Sequence, residues 1–326
     1  MRYLVMGAGA LGSVFGGLLA HSGRRVAFLG RGAHFEALRT RGLTITGIWG
    51  DFQLGPVVLG PVVLGPVAAP GEPGASPDLY DIILICVKSF DTAAACRQVL
   101  PFLAPSGLII SIQNGLGNLE AIAAAGGPER TVGARVIFGA QVRAPGTVAV
   151  TVYADRVLLG GCSPRVPAAP LDRVAADLNA AGIPTAVVEN ILTPIWDKVL
   201  YNCALNPLGA ILGATYGELG DHPPTRELMR RLIEEIYQVA RARGVHLRHP
   251  DAAAYFRHFI HDLVPPTAAH HPSMLQDLRA GRRTEIDALN GAICAYAAEL
   301  GLAAPHNDTL TRLIRFLESR LPDPHR

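Results

Sequence analysis

The chain has 326 residues, 49% hydrophobic and 17% charged, with a formal net charge of +2. A chain this apolar and this weakly charged collapses, which excludes intrinsic disorder, and its length suits two domains, each with its own core. The near balance of 29 basic and 27 acidic residues gives no field that argues for nucleic acid, and the few aromatics offer no stacking platform for it. The 35 glycines and 25 prolines are in excess, about 18% of the chain against an average nearer 12%.

Between Arg2 and Gly7 only Tyr3–Met6 is apolar, too short a run for a signal-peptide core. The longest apolar stretches are strand-length, so no transmembrane helix is expected. Cys86, Cys96, Cys162, Cys203 and Cys294 are odd in number, widely spaced and without a C-x-x-C. Reduced, mostly buried thiols in a cytoplasmic protein are the expectation.

In chain order, Tyr3–Met6, Val26–Leu29, Ile82–Val87 and Leu108–Ile112 read as strands, and Leu11–His21, Thr92–Leu100 and Asn118–Ala125 as helices. Short continuous apolar strands alternating with helices predict an α/β, Rossmann-type domain over residues 1–190, its mostly parallel sheet covered on both faces. Leu43–Leu54 and Thr147–Leu159, rich in Thr, Val and Gly, read as antiparallel hairpins added to that sheet. The pentad Gly-Pro-Val-Val-Leu occurs twice from Gly55 and begins again at Gly65. Proline at every fifth residue excludes helix and central strand, so this reads as a surface excursion without chemistry.

After Asn190 helical patterns dominate: Ile195–Leu212, Thr225–Arg243, Ala252–Val264, Ser273–Ala280, Thr284–Leu300 and Asn307–Leu321. Residues 191–326 are expected to form an all-α domain that carries substrate binding and catalysis, joined by a short link around Glu189–Thr193.

Gly7-Ala8-Gly9-Ala10-Leu11-Gly12 matches G-x-G-x-x-G between a strand and a helix, with a second strand ending about 20 residues on. Glycines there permit a tight turn and close approach of a pyrophosphate to backbone N–H groups at a helix N-terminus. The second strand ends at Arg31 rather than at a carboxylate, which favours the 2′-phosphate of NADP over the bare ribose of NAD. Arg24 and Arg25 precede that strand and read as solvated. Lys88 and Asn114 fall at the carboxyl ends of the third and fourth strands, where ligands of open parallel sheets lie. A plain Asn-Gly turn is the alternative at Asn114.

In the helical half, Lys198, Asn202 and Asn206 are spaced i, i+4, i+8 and share one helix face amid apolar neighbours. Buried Lys and Asn need partners, and a row of them suits a polar ligand. Pro207 is expected to disturb that helix and free a carbonyl. Ser273 with Gln276, and Thr284 with Asp287, have capping-box spacing, which alone would leave Glu285 a surface acid. His258 and His261 can share a helical face, but no supporting Cys or carboxylate set points to a metal.

Taken together, GAGALG, the strand-end Arg31, CVKSFDT, IQNGLGN, WDKVLYNCALNPLGAI and SMLQDLRAGRRTEIDALNG resemble the ketopantoate reductase (2-dehydropantoate 2-reductase) family over nearly the whole chain. The resemblance implies a Rossmann domain coupled to a helical domain, substrate in the cleft between them, and NADPH-dependent reduction of 2-dehydropantoate to pantoate in coenzyme A biosynthesis. It implies that Gly7 to Gly12 hold the pyrophosphate, Arg31 and Lys88 the 2′-phosphate and adenosine end, and that Asn114 lies near the nicotinamide. Lys198 matches the proton donor, Asn202, Asn206 and Ser273 match substrate-binding positions, and Glu285 matches an acid that meets cofactor and substrate. His270 and Tyr216 depart from the pattern, standing where some members carry Asn. A reductase of another 2-oxo or 3-oxo acid, or a non-catalytic NADP-sensing regulator, are the alternatives. A homodimer is the assembly expected.

Overall fold

Residues 1–55 and 79–321 are described by the computed structural model; most of the pentad repeat lies outside them. They form two units. The first takes the described residues of Met1–Gln113 and Asn118–Ile191; the second takes Asn114–Gly117 and the chain from Leu192 onward.

The first unit is a mixed sheet whose described strands are β1 (Arg2–Met6), β2 (Arg25–Leu29), β3 (Leu43–Gly47), β4 (Phe52–Leu54), β5 (Tyr80–Ile85), β6 (Leu103–Ser111), β7 (Thr131–Ala144), β8 (Thr147–Gly161) and β9 (Thr185–Val187). They run in the order β2-β1-β5-β6-β7-β8-β3-β4, with β9 beside β8. The β2-β1-β5-β6-β7 stretch is parallel throughout. Helices α1 (Ala10–His21), α2 (Gly32–Arg41), α3 (Thr92–Val99), α4 (Asn118–Gly126) and α5 (Ala168–Ala180) accompany it. Alternate residues of the central strands enter different cores: Tyr3, Val5, Ile82 and Leu84 join one, Leu4, Ile83 and Ile85 the other. Burial on both faces is why these strands read as unbroken apolar runs. The hairpin expected over Leu43–Leu54 is present as β3 against β4, whereas Thr147–Leu159 is not a hairpin but part of the single long strand β8, whose antiparallel partner is β7.

Helix α2 and strand β9 carry too little apolar pattern to be seen in the sequence, and α5 was likewise unforeseen. Arg24 is half-buried rather than fully solvated: it pairs with Asp177 at 2.9 Å, the acid that also accepts from the Tyr3 hydroxyl at 2.7 Å.

The second unit is helical: α6 (Leu192–Leu212), α7 (Tyr216–Asp221), α8 (Pro223–Ala242), α9 (Ala252–His258), α10 (Ser273–Arg279), α11 (Asn290–Glu299) and α12 (Pro305–Ser319). Trp196, Val199, Leu200, Cys203 and Leu205 of α6 pack with Met229, Leu232, Ile233 and Ile236 of α8 and Ile293 of α11 in one core.

Several local expectations fail here for identifiable reasons. Helix α6 reaches Leu212 as expected, but Pro207 does not interrupt it. The stretch Thr284–Leu300 is not one helix: a 3-10 turn spans Ile286–Ala288, Leu289 leaves helical geometry (ψ −106°), and α11 starts at Asn290. Neither expected capping box forms. Pro272 occupies the cap of α10 and its carbonyl accepts the Gln276 N–H, which leaves Ser273 inside the first turn. Asp287 is instead taken by Arg283 and Arg315, at 2.9 and 2.7 Å. The capping box that does form is Thr215 with Glu218, at the start of α7. Beyond His258, α9 passes into a π-helical turn over Phe259–Leu263, where His258 bonds Asp262 at 2.7 Å.

Candidate active site

In the first unit the loop from β1 into α1 is shaped by glycine. Gly7 has φ +105°, and a Cβ there would come within 2.8 Å of the Cys86 and Val87 backbone. A Cβ on Gly12 would stand 2.0 Å from the Gly7 carbonyl oxygen. Only glycine closes this turn against β5 and lets α1 start so near it. Gly9 is exposed, and a Cβ on it would meet open space. Ala8, Ala10 and Leu11 complete the loop, and α1 has no side-chain cap, so its first N–H groups are directed to this end of the sheet. Uncapped N–H groups at such a turn can receive an anionic group, and the glycine geometry is compatible with a dinucleotide's pyrophosphate.

Arg31 is where β2 meets α2, 91% exposed at its side chain and 3.5 Å from Asp91. Lys88 precedes the 3-10 turn Ser89–Asp91 beyond β5. A polar network unforeseen in the sequence fixes the loops after β5 and β6. Gln113 Nε2 donates to the Val87 carbonyl at 2.9 Å and to Thr92 Oγ1 at 2.7 Å. Thr92 in turn donates to Asn118 Oδ1 at 2.9 Å, and Ser111 to Gln113 Oε1 at 3.0 Å. The signal was Ser111 and Gln113, two polar residues two apart at the end of an apolar strand.

In the second unit Lys198, Asn202 and Asn206 lie along one face of α6. Asn202 and Asn206 are 9% and 6% exposed, so an amide on this face has to find partners in the protein or in a ligand. Lys198 Nζ donates to Asn114 Oδ1 at 2.5 Å. One of three ammonium donors thereby pins a flexible four-carbon stem in place. The Asn114 loop is itself held: the Leu116 N–H donates to the Ala288 carbonyl at 2.7 Å, and Gly115, at φ +84°, lies so close that a Cβ would reach 2.3 Å from that carbonyl. Ala288 ends the 3-10 turn that Glu285 opens, and its N–H donates to the Glu285 carbonyl at 3.0 Å. Lys198, Asn114 and the half-buried Glu285 are thus tied through one loop.

Asn206 has a partner that the sequence did not announce. The Tyr216 hydroxyl donates to its Oδ1 at 2.7 Å, which turns the amide so that Nδ2 is the donor left to a ligand. Burial holds the Tyr216 phenol well above its ordinary value, so it stays a donor. The Tyr216 ring lies 5.2 Å from that of His270 and 5.8 Å from that of Tyr201, and its N–H donates to the His270 carbonyl at 3.1 Å. The two departures noted in the sequence are therefore neighbours. Burial pushes His270 below its ordinary value, favouring the neutral ring. Burial also pushes Tyr201 up to about 12, and its hydroxyl sits 2.6 Å from Thr267 Oγ1. Ser273, exposed, opens α10, a helix that packs along α6.

No group of three or more His, Cys, Asp or Glu among the described residues could hold a metal. All five cysteines are free, and no helix among the described residues is long and apolar enough to cross a membrane.

Residues 3–162 match the family model described as ketopantoate reductase PanE/ApbA, and residues 190–318 match that of its C-terminal part. A 2-dehydropantoate 2-reductase of Aquifex aeolicus is 36% identical over 318 residues, covering 98% of this chain and 97% of the relative. One from Pyrococcus horikoshii is 34% identical, covering 98% of each. The crystal structure of a PanE/ApbA family ketopantoate reductase from Ralstonia eutropha superposes with a TM-score of 0.82 at 31% identity, over 98% of this chain and 99% of that one. A ternary structure of D-mandelate dehydrogenase with NADH and anilino(oxo)acetate gives 0.86 at 26% identity, over the same shares. With both halves matched, the chain belongs to the ketopantoate reductase family of nicotinamide-dependent oxidoreductases.

Proposed function

We propose that the protein reduces 2-dehydropantoate to pantoate with NADPH. The observation that carries this is the Lys198–Asn114 hydrogen bond on the polar face of α6, which fixes an ammonium beside two buried amides. When bound, NADPH supplies a hydride to the keto carbon from C4 of its nicotinamide. Gly7, Ala8, Gly9, Ala10, Leu11 and Gly12 would hold its pyrophosphate by backbone N–H groups, and Arg31 with Lys88 its 2′-phosphate and adenosine end. Lys198 would hydrogen-bond the substrate carbonyl and protonate the developing alkoxide. An alkoxide is far more basic than an amine, so an ordinary ammonium suffices. Asn202 and Asn206 would orient the substrate by donated N–H groups, and Ser273 would bind its carboxylate. Glu285 would take a hydroxyl of the substrate and meet the cofactor. A cytoplasmic setting accords with five free thiols.

The test is NADPH oxidation with 2-dehydropantoate, set against a panel of other 2-oxo acids and against NADH. The reading expects 2-dehydropantoate with NADPH to give the largest kcat/KM; a preference for another acid by tenfold or more would overturn it. A second reading is reduction of a 2-oxo acid with an aromatic side chain, using NADH. It is favoured by the Tyr216–His270 ring pair beside Asn206 and by the likeness to D-mandelate dehydrogenase. Phenylglyoxylate with NADH as the best pair would establish it.

A further inference from the structure

Pro207 lies inside α6, and a proline has no N–H. The Cys203 carbonyl, four residues earlier, therefore loses its helical donor, and such a site commonly kinks a helix. Here the donor comes from another helix. Asn290, the first residue of α11, directs Nδ2 to the Cys203 carbonyl at 3.1 Å. Both residues are fully buried, where an unmet carbonyl is costly.

Asn290 is itself held from behind. Its Nδ2 also donates to Asn307 Oδ1 at 3.0 Å, and Asn307 Nδ2 donates to Glu235 Oε2 at 2.7 Å. Glu235 of α8 accepts the backbone N–H groups of His306 and Asn307 at 2.9 and 3.0 Å. These belong to the first turn of α12, which has no capping side chain of its own. A chain of hydrogen bonds thus runs from α8 and α12 through α11 into α6. It ends on a carbonyl one residue past Asn202 and three before Asn206. At its other side, Asn290 is separated by Leu289 alone from the turn that Glu285 opens and that, at Ala288, receives the Leu116 N–H of the loop that holds Lys198.

We propose that Asn290 is a positioning residue: it replaces the hydrogen bond that Pro207 removes and thereby sets the polar face of α6 against the Glu285 turn. A helix bonded only to itself would place Asn202 and Asn206 by its own geometry. One bonded to α11 places them by reference to Glu285 and Asn114. The proposal rests on the reading above, in which these side chains hold the substrate.

The experiment is a double-mutant cycle of Asn290→Ala and Pro207→Ala, with kcat, KM and NADPH affinity measured for all four proteins, and urea unfolding alongside. In the wild-type background Asn290→Ala is expected to lower kcat/KM by about 10- to 30-fold, chiefly through KM for the oxo acid, with NADPH affinity within about twofold. In the Pro207→Ala background an alanine N–H serves the carbonyl, and the same change is expected to cost less than about threefold. Equal losses in both backgrounds, or a parallel loss of NADPH affinity, would overturn the proposal. Should Asn290→Ala alone fail to fold, the double variant is expected to fold and turn over, and its failure too would overturn the proposal. A wild type inert on every 2-oxo acid contradicts the reductase reading instead, and coupling or additivity in the urea cycle still decides whether Asn290 serves that carbonyl.

Discussion

The two units build their sites from different material. The proposed nucleotide end of the first unit is made of backbone: Gly7 and Gly12, which admit no Cβ, and helix N–H groups left uncapped. The polar face of α6 is made of side chains, two of them held by residues outside the helix: Lys198 by Asn114, and Asn206 by Tyr216. A backbone site is written in contiguous residues and tolerates change outside them. A side-chain site is only as precise as the shell that grips it.

That difference predicts how each site fails. Gly12→Ala places a methyl group 2.0 Å from the Gly7 carbonyl, so the turn must open. NADPH affinity, read by fluorescence titration, is expected to fall by about 100-fold or more. Retained affinity would mean that the turn does not seat the pyrophosphate. Arg31→Ala should weaken NADPH by about 10- to 100-fold while leaving NADH within about twofold, since one charge-assisted contact is lost. Equal effects on both cofactors would remove Arg31 from the 2′-phosphate.

The side-chain site should respond more gently and in a different constant. Tyr216→Phe removes the hydroxyl that fixes the Asn206 amide, a loss of about 1 kcal/mol. KM for the oxo acid should rise about fivefold with kcat nearly unchanged. An unchanged KM would show that the orientation of Asn206 does not matter to the substrate.

The smallest effect concerns pH. Burial holds His34 below its ordinary value, with Nδ1 accepting from the Gly146 N–H and Nε2 3.0 Å from Ser13 Oγ. The unfolded chain takes up a proton at this position near pH 6.5, before the folded one does, so stability falls as pH drops below that value and recovers as it rises. His34→Gln should flatten the decline in urea midpoint between pH 7.5 and pH 5.5. His249 and His270 are depressed in the same direction, so the flattening is partial. An undiminished slope would exclude His34 as a contributor.

What the sequence could show follows the same division. The parallel sheet was legible because strands buried on both faces are continuous apolar runs, and the dinucleotide turn because its glycines are adjacent. The stripe Lys198–Asn202–Asn206 was legible because helical spacing is local. Its partners were not, since Asn114 and Tyr216 meet it only after the chain has folded. The same holds for Pro207: the freed carbonyl is legible from the proline, but the distant Asn290 that donates to it is not. Capping-box spacing misled at Ser273 and Thr284, where a proline and a pair of arginines took the positions that capping needs.

The most direct measurement is single-turnover reduction of 2-dehydropantoate by enzyme preloaded with NADPH, for the wild type and for Lys198→Ala. If Lys198 protonates the alkoxide, hydride transfer slows by about 10²- to 10⁴-fold in the variant while NADPH affinity is retained. A Lys198→Ala enzyme whose single-turnover rate stays within about threefold of wild type contradicts that role.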